Sequence, residues 1–379
     1  MELHGHCHEQ FEPVRAAFAS NFSERGDVGA SVFVTLDGEP VVDLWGGDAG
    51  PGGGAWAEDT IVNVYSTTKT MASLCVLMLA DRGEVDWDAP VARYWPGFEK
   101  NGKEGVLVRH VMSHTAGLSG FDPAIAPEQL YDWEGITAHV AAQQPWWEPG
   151  TQSGYHAVTQ GVLQGEIVRR VTGRSLGTFF REEVAEPLGA DFHIGLDPRH
   201  DDRVGELIPP EMGLDGQNAE GAGEVAKRTL GSVHLTGREP QTTGWRRAEI
   251  PAAGGISNAR GVGRVHSAIA CGGEVDGVRL LSPAGVDTIF EEQSNGPDLV
   301  FGIPVRFGMG FGLKSDFFPL GPNERVCFWG GWGGSLAVTD VDARFTVSYV
   351  MNRMEGNLMG DVRGGVLVMA AYEALAAAG

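Results

Sequence analysis

Phe11, Val14, Phe18 and Phe22 recur at helical spacing, which predicts an amphipathic helix over residues 9–24. The period then shortens to that of a strand. "ASVFVTL" and "EPVVDLW", separated by Asp37 and Gly38, read as two strands joined by a tight turn. After Ser66 the apolar positions Met71, Ala72, Leu74, Cys75, Leu77 and Met78 predict a helix running to about Arg82, with Gly83 as its stop. From about residue 88 to 230 the pattern is of helical pieces with long loops, clearest in "VLVRHVMSH", "TQGVLQGEIVRRVTG" and "LGTFFREEVAEPLG". "SNARGVGRVHSAIACGG" and "SPAGVDTIFEEQ" are again helical. Beyond Phe301 the pattern switches to strands: "RVCFWGG", "GGSLAVTD" and "RFTVSYVMN" are rich in β-branched and aromatic residues and are parted by Gly or Asp. "VRGGVLVMAAYEALAAA" closes as a helix.

Strands at both ends with helices between them predict an α/β chain of α+β type: one antiparallel sheet flanked by N- and C-terminal helices, plus an inserted, mainly helical lobe. The expected division is residues 1–87 with 240–379 for the sheet domain, and 88–239 for the helical one. Within the latter, 201–239 reads as an irregular loop, polar and glycine-rich. A crevice between two such lobes is the expected place for a site.

Composition narrows the function classes. The chain of 379 residues carries a net charge of −22, which repels nucleic acid and anionic membranes, so neither is expected as a partner. No stretch of eighteen uninterrupted apolar residues predicts a membrane span. The N-terminus lacks a basic segment followed by an apolar run, and Cys7, Cys75, Cys271 and Cys327 are scattered without metal-like pairing. Free thiols in the cytoplasm are therefore expected. Oligomeric state is not readable from the chain.

The candidate chemistry sits in "VYSTTKT", residues 64–70, where one of only five lysines stands three residues after a serine. Positions i and i+3 share a helix face, so Lys69 can reach the Ser66 hydroxyl. A serine needs an adjacent base, and a lysine can be that base only when burial or nearby positive charge lowers its pKa. S-x-x-K occurs once in the chain, at a strand-to-helix transition.

The wider pattern, "VYSTTKTMASLCVLMLADRGEVDWDAPVARYWPGF", resembles the nucleophile segment of the serine β-lactamase and penicillin-binding-protein superfamily. "VRHVMSHTAGLSGFD", "WWEPGTQSGYHAVTQGVLQGEIVRRVTG", "AAGGISNARGVGRVHSAIACGG" and "FWGGWGGSLAVTD" resemble its later segments, in order and over most of the chain. The resemblance is nearest to family VIII carboxylesterases, which share the class C β-lactamase fold. It implies Ser66 as nucleophile and Lys69 with Tyr155 as its proton-transfer pair. It also implies the backbone N–H groups of Ser66 and Trp332 as oxyanion hole, a small-molecule ester as substrate, and no cofactor. Which of Lys69 and Tyr155 takes the first proton stays open. Two departures from the β-lactamase pattern matter. Tyr155-His156-Ala157 lacks the asparagine of Tyr-x-Asn, and Trp329-Gly330-Gly331 replaces Lys-Thr-Gly. The groups that would bind the amide and carboxylate of a β-lactam are missing, which favours a neutral ester. Trp329, Gly330, Gly331, Trp332, Phe121 and Trp147 are then candidates for an aromatic acyl or alcohol pocket. His156 either lines the cleft or faces the core.

Other readings compete. Gly173-Arg174-Ser175-Leu176-Gly177 matches G-x-S-x-G, but a helix precedes it, so a helix stop at Gly173 and a cap at Ser175 are expected instead of a nucleophile elbow. His110 and His114 stand at i, i+4 without a third ligand, so no metal site is expected and His114 is read as structural. His4, His6, Cys7 and His8 are read as a frayed terminus. With the same nucleophile the activity could be that of a β-lactamase, a D-amino-acid amidase or peptidase, or an acyltransferase. A non-catalytic binding protein on the same scaffold is the alternative from another class; retention of Ser66, Lys69 and Tyr155 together argues against it.

Overall fold

Asp37 and Gly38 both take positive φ, 52° and 85°, as a two-residue turn matching the twist of its strands requires. The chain therefore folds straight back, with Leu36 opposite Glu39 and Val34 opposite Val42. In the computed structural model, which describes residues 2–217 and 223–377, this hairpin belongs to a nine-stranded antiparallel sheet. In chain order its strands are β1 (Leu3–Cys7), β2 (Gly29–Leu36), β3 (Glu39–Gly47), β4 (Ser294–Pro297), β5 (Pro304–Phe307), β6 (Gly312–Leu313), β7 (Val326–Gly330), β8 (Leu336–Asp340) and β9 (Phe345–Met351). They lie side by side as β1-β3-β2-β9-β8-β7-β6-β5-β4.

The central strands are covered on both faces, and side-chain alternation shows by what. Ser31, Phe33 and Ser348 meet the helix Ala259–Ala270: Ser31 Oγ accepts from Ala259 N–H, and Gly263 packs against Phe33 and Ser348. Leu336 and Tyr349, which point the other way, meet the C-terminal helix Val362–Ala376 at Gly364. That helix packs on the N-terminal helix Glu12–Glu24. Cover on two sides is why β8 and β9 are buried throughout, the polar Thr339, Thr346 and Ser348 included. The helix Thr68–Asp81 starts beside the end of β7 and is buried along its length from Thr68 to Leu79. The helices Thr159–Thr172 and Leu176–Phe180 pack against it. A three-stranded sheet, in the order Val62–Asn63, Gly255–Ser257, Phe192–Ile194, lies directly before the Ser66 turn.

The structure corrects several expectations. The N-terminus is not frayed: residues 3–7 are β1, an edge strand that pairs with β3 from Leu3–Gly46 to Cys7–Val42. The sheet also begins earlier on its other side than Phe301, at Ser294. The helix expected across residues 106–114 is a short one, Val108–Met112. The irregular stretch contains a helix at Glu224–Leu230, and residues 218–222 of it lie outside the described residues. Among the described residues no helix is long and apolar enough to cross a membrane.

Candidate active site

Tyr65, at φ 43°, turns the chain out of the short strand and into a single helical turn, Tyr65–Thr67, that runs directly into the helix Thr68–Asp81. Hydroxyl groups fix this entry. Thr70 Oγ1 donates to the Thr67 carbonyl at 2.8 Å, and Thr68 Oγ1 accepts from Gly255 N–H at 2.9 Å. Ser66 is thereby held at the mouth of the helix with 8% of its surface open.

Two side chains meet at the Ser66 hydroxyl. Lys69 Nζ lies 3.1 Å from Ser66 Oγ, and the Tyr155 hydroxyl donates to the same oxygen at 2.6 Å. Lys69 Nζ also donates to the carbonyls of Ala157, at 2.7 Å, and Ala252, at 2.9 Å. Burial alone holds the Lys69 amine well below the ordinary lysine value. A neutral amine has two N–H donors and one lone pair. With both donors used by carbonyls, the lone pair faces Ser66, whose O–H can donate to it. Burial pushes the Tyr155 phenol above its ordinary value, so it keeps the proton that it donates to Ser66 Oγ.

The edge of β7 closes the other side. Trp329 packs against Tyr155, with ring centroids 5.4 Å apart, and against His114 at 5.8 Å. A Cβ on Gly331 would lie 2.2 Å from the Val64 carbonyl oxygen; only glycine permits so close an approach of the two backbones. Gly330 similarly abuts the backbone of Met359. Among the described residues the N–H groups of Ser66 and Trp332 make no hydrogen bond.

Phe301 stacks on the Tyr155 ring at 4.6 Å and 23°. The same phenylalanine lines a cleft of about 660 Å³ together with Leu299, Ile303, Phe318, Leu358 and Met359. No charged side chain lines this cleft among the described residues. The candidate pocket residues Phe121, His156 and Trp147 are not part of it. Phe121 is buried edge-on to His139. Trp147 covers Gly154 and donates its indole N–H to the Gln152 carbonyl. His156 is in the core, the second of the alternatives left open: Nδ1 bonds the Gly154 carbonyl and Nε2 accepts from Leu118 N–H, while burial lowers its pKa to about 3. The cleft residues 299–303 and 358–360 were absent from the sequence reading, which had only aromatic type to go on. The glycines flanking them were the one available sign of a backbone shaped for close approach.

The remaining motifs have structural roles. Gly173 ends one helix at φ 73°, and Ser175 caps the next by accepting from Thr178 N–H at 3.3 Å. His110 Nδ1 accepts from Leu107 N–H and His114 Nδ1 from His156 N–H, so the two rings satisfy loop backbone. Among the described residues no group of three or more metal-ligating side chains converges.

The model of the family described as Beta-lactamase matches residues 18–368. The chain belongs to the beta-lactamase family. Esterase/beta-lactamase LipL of Mycobacterium tuberculosis is 37% identical over 361 residues, covering 92% of this chain and 83% of that protein. Esterase EstB of Burkholderia gladioli is 32% identical over 193 residues, 46% of this chain and 48% of its own. The crystal structure of a family VIII carboxylesterase superimposes with a TM-score of 0.93 at 41% identity, covering 99% of this chain and 100% of that one. A penicillin-binding protein homologue from Caulobacter crescentus gives 0.92 at 38%, with the same coverage. Within this beta-lactamase-family fold, Ser66 and Lys69 come from the turn and helix after Val62–Asn63, Tyr155 from the loop before the helix Thr159–Thr172, and Trp329–Trp332 from the end of β7.

Proposed function

We propose that this beta-lactamase-family chain is a serine carboxylesterase that cleaves uncharged small-molecule esters through a covalent acyl-enzyme on Ser66. The observation that carries the reading is the convergence of Lys69 and Tyr155 on Ser66 Oγ, with the amine's own donors already engaged. Lys69 takes the Ser66 proton as Oγ attacks the ester carbonyl. The N–H groups of Ser66 and Trp332 bind the tetrahedral oxyanion, each at an estimated ~3 kcal/mol. Tyr155 protonates the departing alkoxide and is restored by the proton held on Lys69. Water then attacks the acyl-enzyme, gives its proton to the same pair, and Ser66 is released with its proton returned. Related proteins described as esterases support the ester as substrate, as does the cleft beside Phe301, whose lining among the described residues offers no cation to a carboxylate. We read the site as lying where a sheet domain, residues 1–87 and 240–379, meets a helical one, residues 88–239. The four free cysteines suit a reducing cytoplasm.

Incubation with an activated alkyl phosphonate is expected to add one phosphonyl group to the peptide containing Ser66, read by mass spectrometry, and to end ester turnover in proportion. A full-size alcohol burst from an activated short-chain ester should precede the steady state. A label on any other residue, or turnover that survives complete labelling, overturns the reading.

Gly331 tests the oxyanion hole. In Gly331→Ala the new methyl group would overlap the Val64 carbonyl and Ser335 Oγ, the latter at 2.3 Å. The strand end must move off the Ser66 turn and carry Trp332 N–H with it. Stability should fall by about 1–3 kcal/mol, and kcat on a short-chain ester by about 10²-fold or more, measured by urea melts and initial rates.

A further inference from the structure

Asp298 is 1% exposed and sits between β4 and β5, on neither the Ser66 helix nor the Tyr155 segment. Its Oδ1 accepts three backbone N–H groups, from Tyr155 at 3.1 Å, Val300 at 2.9 Å and Phe301 at 3.0 Å. Among the described residues no cation accompanies it, and burial raises its pKa, with those three bonds working against the rise. The surrounding loop is tied at both ends: Leu299 N–H donates to the Ser153 carbonyl, and Asp298 N–H to the Ile303 carbonyl. One carboxylate oxygen thus joins two things that the chain keeps 143 residues apart. One is the backbone that carries the Tyr155 phenol. The other is the turn whose Phe301 lies flat on the phenol ring and whose residues 299–303 line the cleft.

We infer that Asp298 is a positioning residue for the reaction: its carboxylate sets the Tyr155 hydroxyl on Ser66 from behind, and registers the wall of the cleft against it. This rests on Tyr155 being a proton-transfer group, as proposed above. Asp298 touches neither substrate nor Ser66. Its effect runs through the phenol, which must stay within hydrogen-bond reach of Ser66 Oγ as the cleft fills. Misplacement by about 1 Å is enough to cost 10²-fold in rate. Removal of the carboxylate leaves three N–H donors unpaired and frees both the phenol's backbone and its covering ring.

A double-mutant cycle separates positioning from mere support. Asp298→Ala is expected to lower kcat on an unactivated alkyl ester by about 10²-fold. In a Tyr155→Phe background the same substitution should cost less than threefold, because there is no hydroxyl left to misplace. Asp298→Asn keeps an acceptor oxygen in the same volume and should recover most of kcat. The loss should also be smaller for an activated aryl ester, whose leaving group needs no proton. Equal losses from Asp298→Ala in both backgrounds, or a wild-type kcat for Asp298→Ala, overturn the inference. Should Asp298→Ala not fold, Phe301→Ala takes its place in the cycle, with the same coupling to Tyr155→Phe expected and additivity overturning it. If Tyr155→Phe itself keeps full activity, it is the proton-transfer reading that fails. An inactive Tyr155→Phe combined with additivity fails the positioning role alone.

Discussion

Ser66→Ala and Lys69→Met should each lower kcat for a short-chain ester by about 10⁴-fold or more, and the double variant should be no worse than either. Groups that act as one unit are removed together by the loss of any of them. On the proposed mechanism the unit is a single hydrogen bond: the serine proton goes to the lone pair of a neutral Lys69, whose two N–H groups are held by the Ala157 and Ala252 carbonyls. Methionine fills the space of the lysine stem without an amine. Its cost is two carbonyls without donors, about 1 kcal/mol each, offset by relief from burying an ionisable group, so the fold should survive. Lys69→Arg should be equally inactive at every pH, since a guanidinium does not give up its proton. In the wild type, activity needs the neutral amine. kcat/KM should fall as pH drops through the lowered Lys69 pKa, and this acid limb should be absent from the residual rate of Lys69→Met. Initial rates across pH and matched urea melts check all three variants; a double variant much slower than both singles would break the unit apart.

Acid should unfold this protein through its buried histidines. His156 and His266 have their pKa values lowered to about 3 and about 4, burial being the first cause for both. His266 is held between Thr70 Oγ1 at 3.0 Å and Thr339 Oγ1 at 2.8 Å, linking the Ser66 helix to β8. Both rings are neutral in the folded state and take up a proton on unfolding below 6.5. Their contribution to stability is complete above 6.5 and is lost as pH falls towards the folded-state values, at about 1.4 kcal/mol per pH unit for each. From pH 6.5 to 5 that is roughly 2 kcal/mol apiece. His114, also lowered by burial with His156 and Lys69 adding to it, acts in the same direction. Against a total of about 5–15 kcal/mol for a typical domain, a loss of roughly 4 kcal/mol or more moves the urea midpoint well within measurement. His266→Gln should flatten the slope between pH 6.5 and 5, although the variant starts less stable. A midpoint independent of pH in that interval would place the acid sensitivity elsewhere.

Much of the fold was legible because local chemistry and global placement agree. The Asp37-Gly38 hairpin, the helix after Ser66 and the β-branched and aromatic stretches of β7, β8 and β9 each announce themselves within a dozen residues. Legibility stopped where structure depends on distant partners. β1 is mostly polar and exposed and exists only because β3 offers it an edge. The short strands β4, β5 and β6 carry no periodicity long enough to count. At the site, spacing alone joined Lys69 to Ser66; Tyr155 and Trp332 were named through the family resemblance, since nothing local to either says what it will face. Phe121 as a pocket candidate and His156 between cleft and core are undecidable from sequence for the same reason. An aromatic or imidazole side chain suits a cleft wall and a core equally well, and only the neighbours that the fold supplies decide between them. Asp298, with no periodic context at all, was invisible.

The pairing of β2 with β9 has a consequence for biosynthesis. Thr35 and Thr346 share a hydrogen bond across 311 residues. At roughly 5–20 residues per second the first hairpin leaves the ribosome about 15–60 s before the strand that covers its open edge. During that interval its unpaired backbone is a target for chaperones and for neighbouring nascent chains. Ser66 emerges early as well, yet Trp332, the second donor of the proposed oxyanion hole, arrives only with the last part of the chain, so on the proposed mechanism the site is complete only at the end of synthesis.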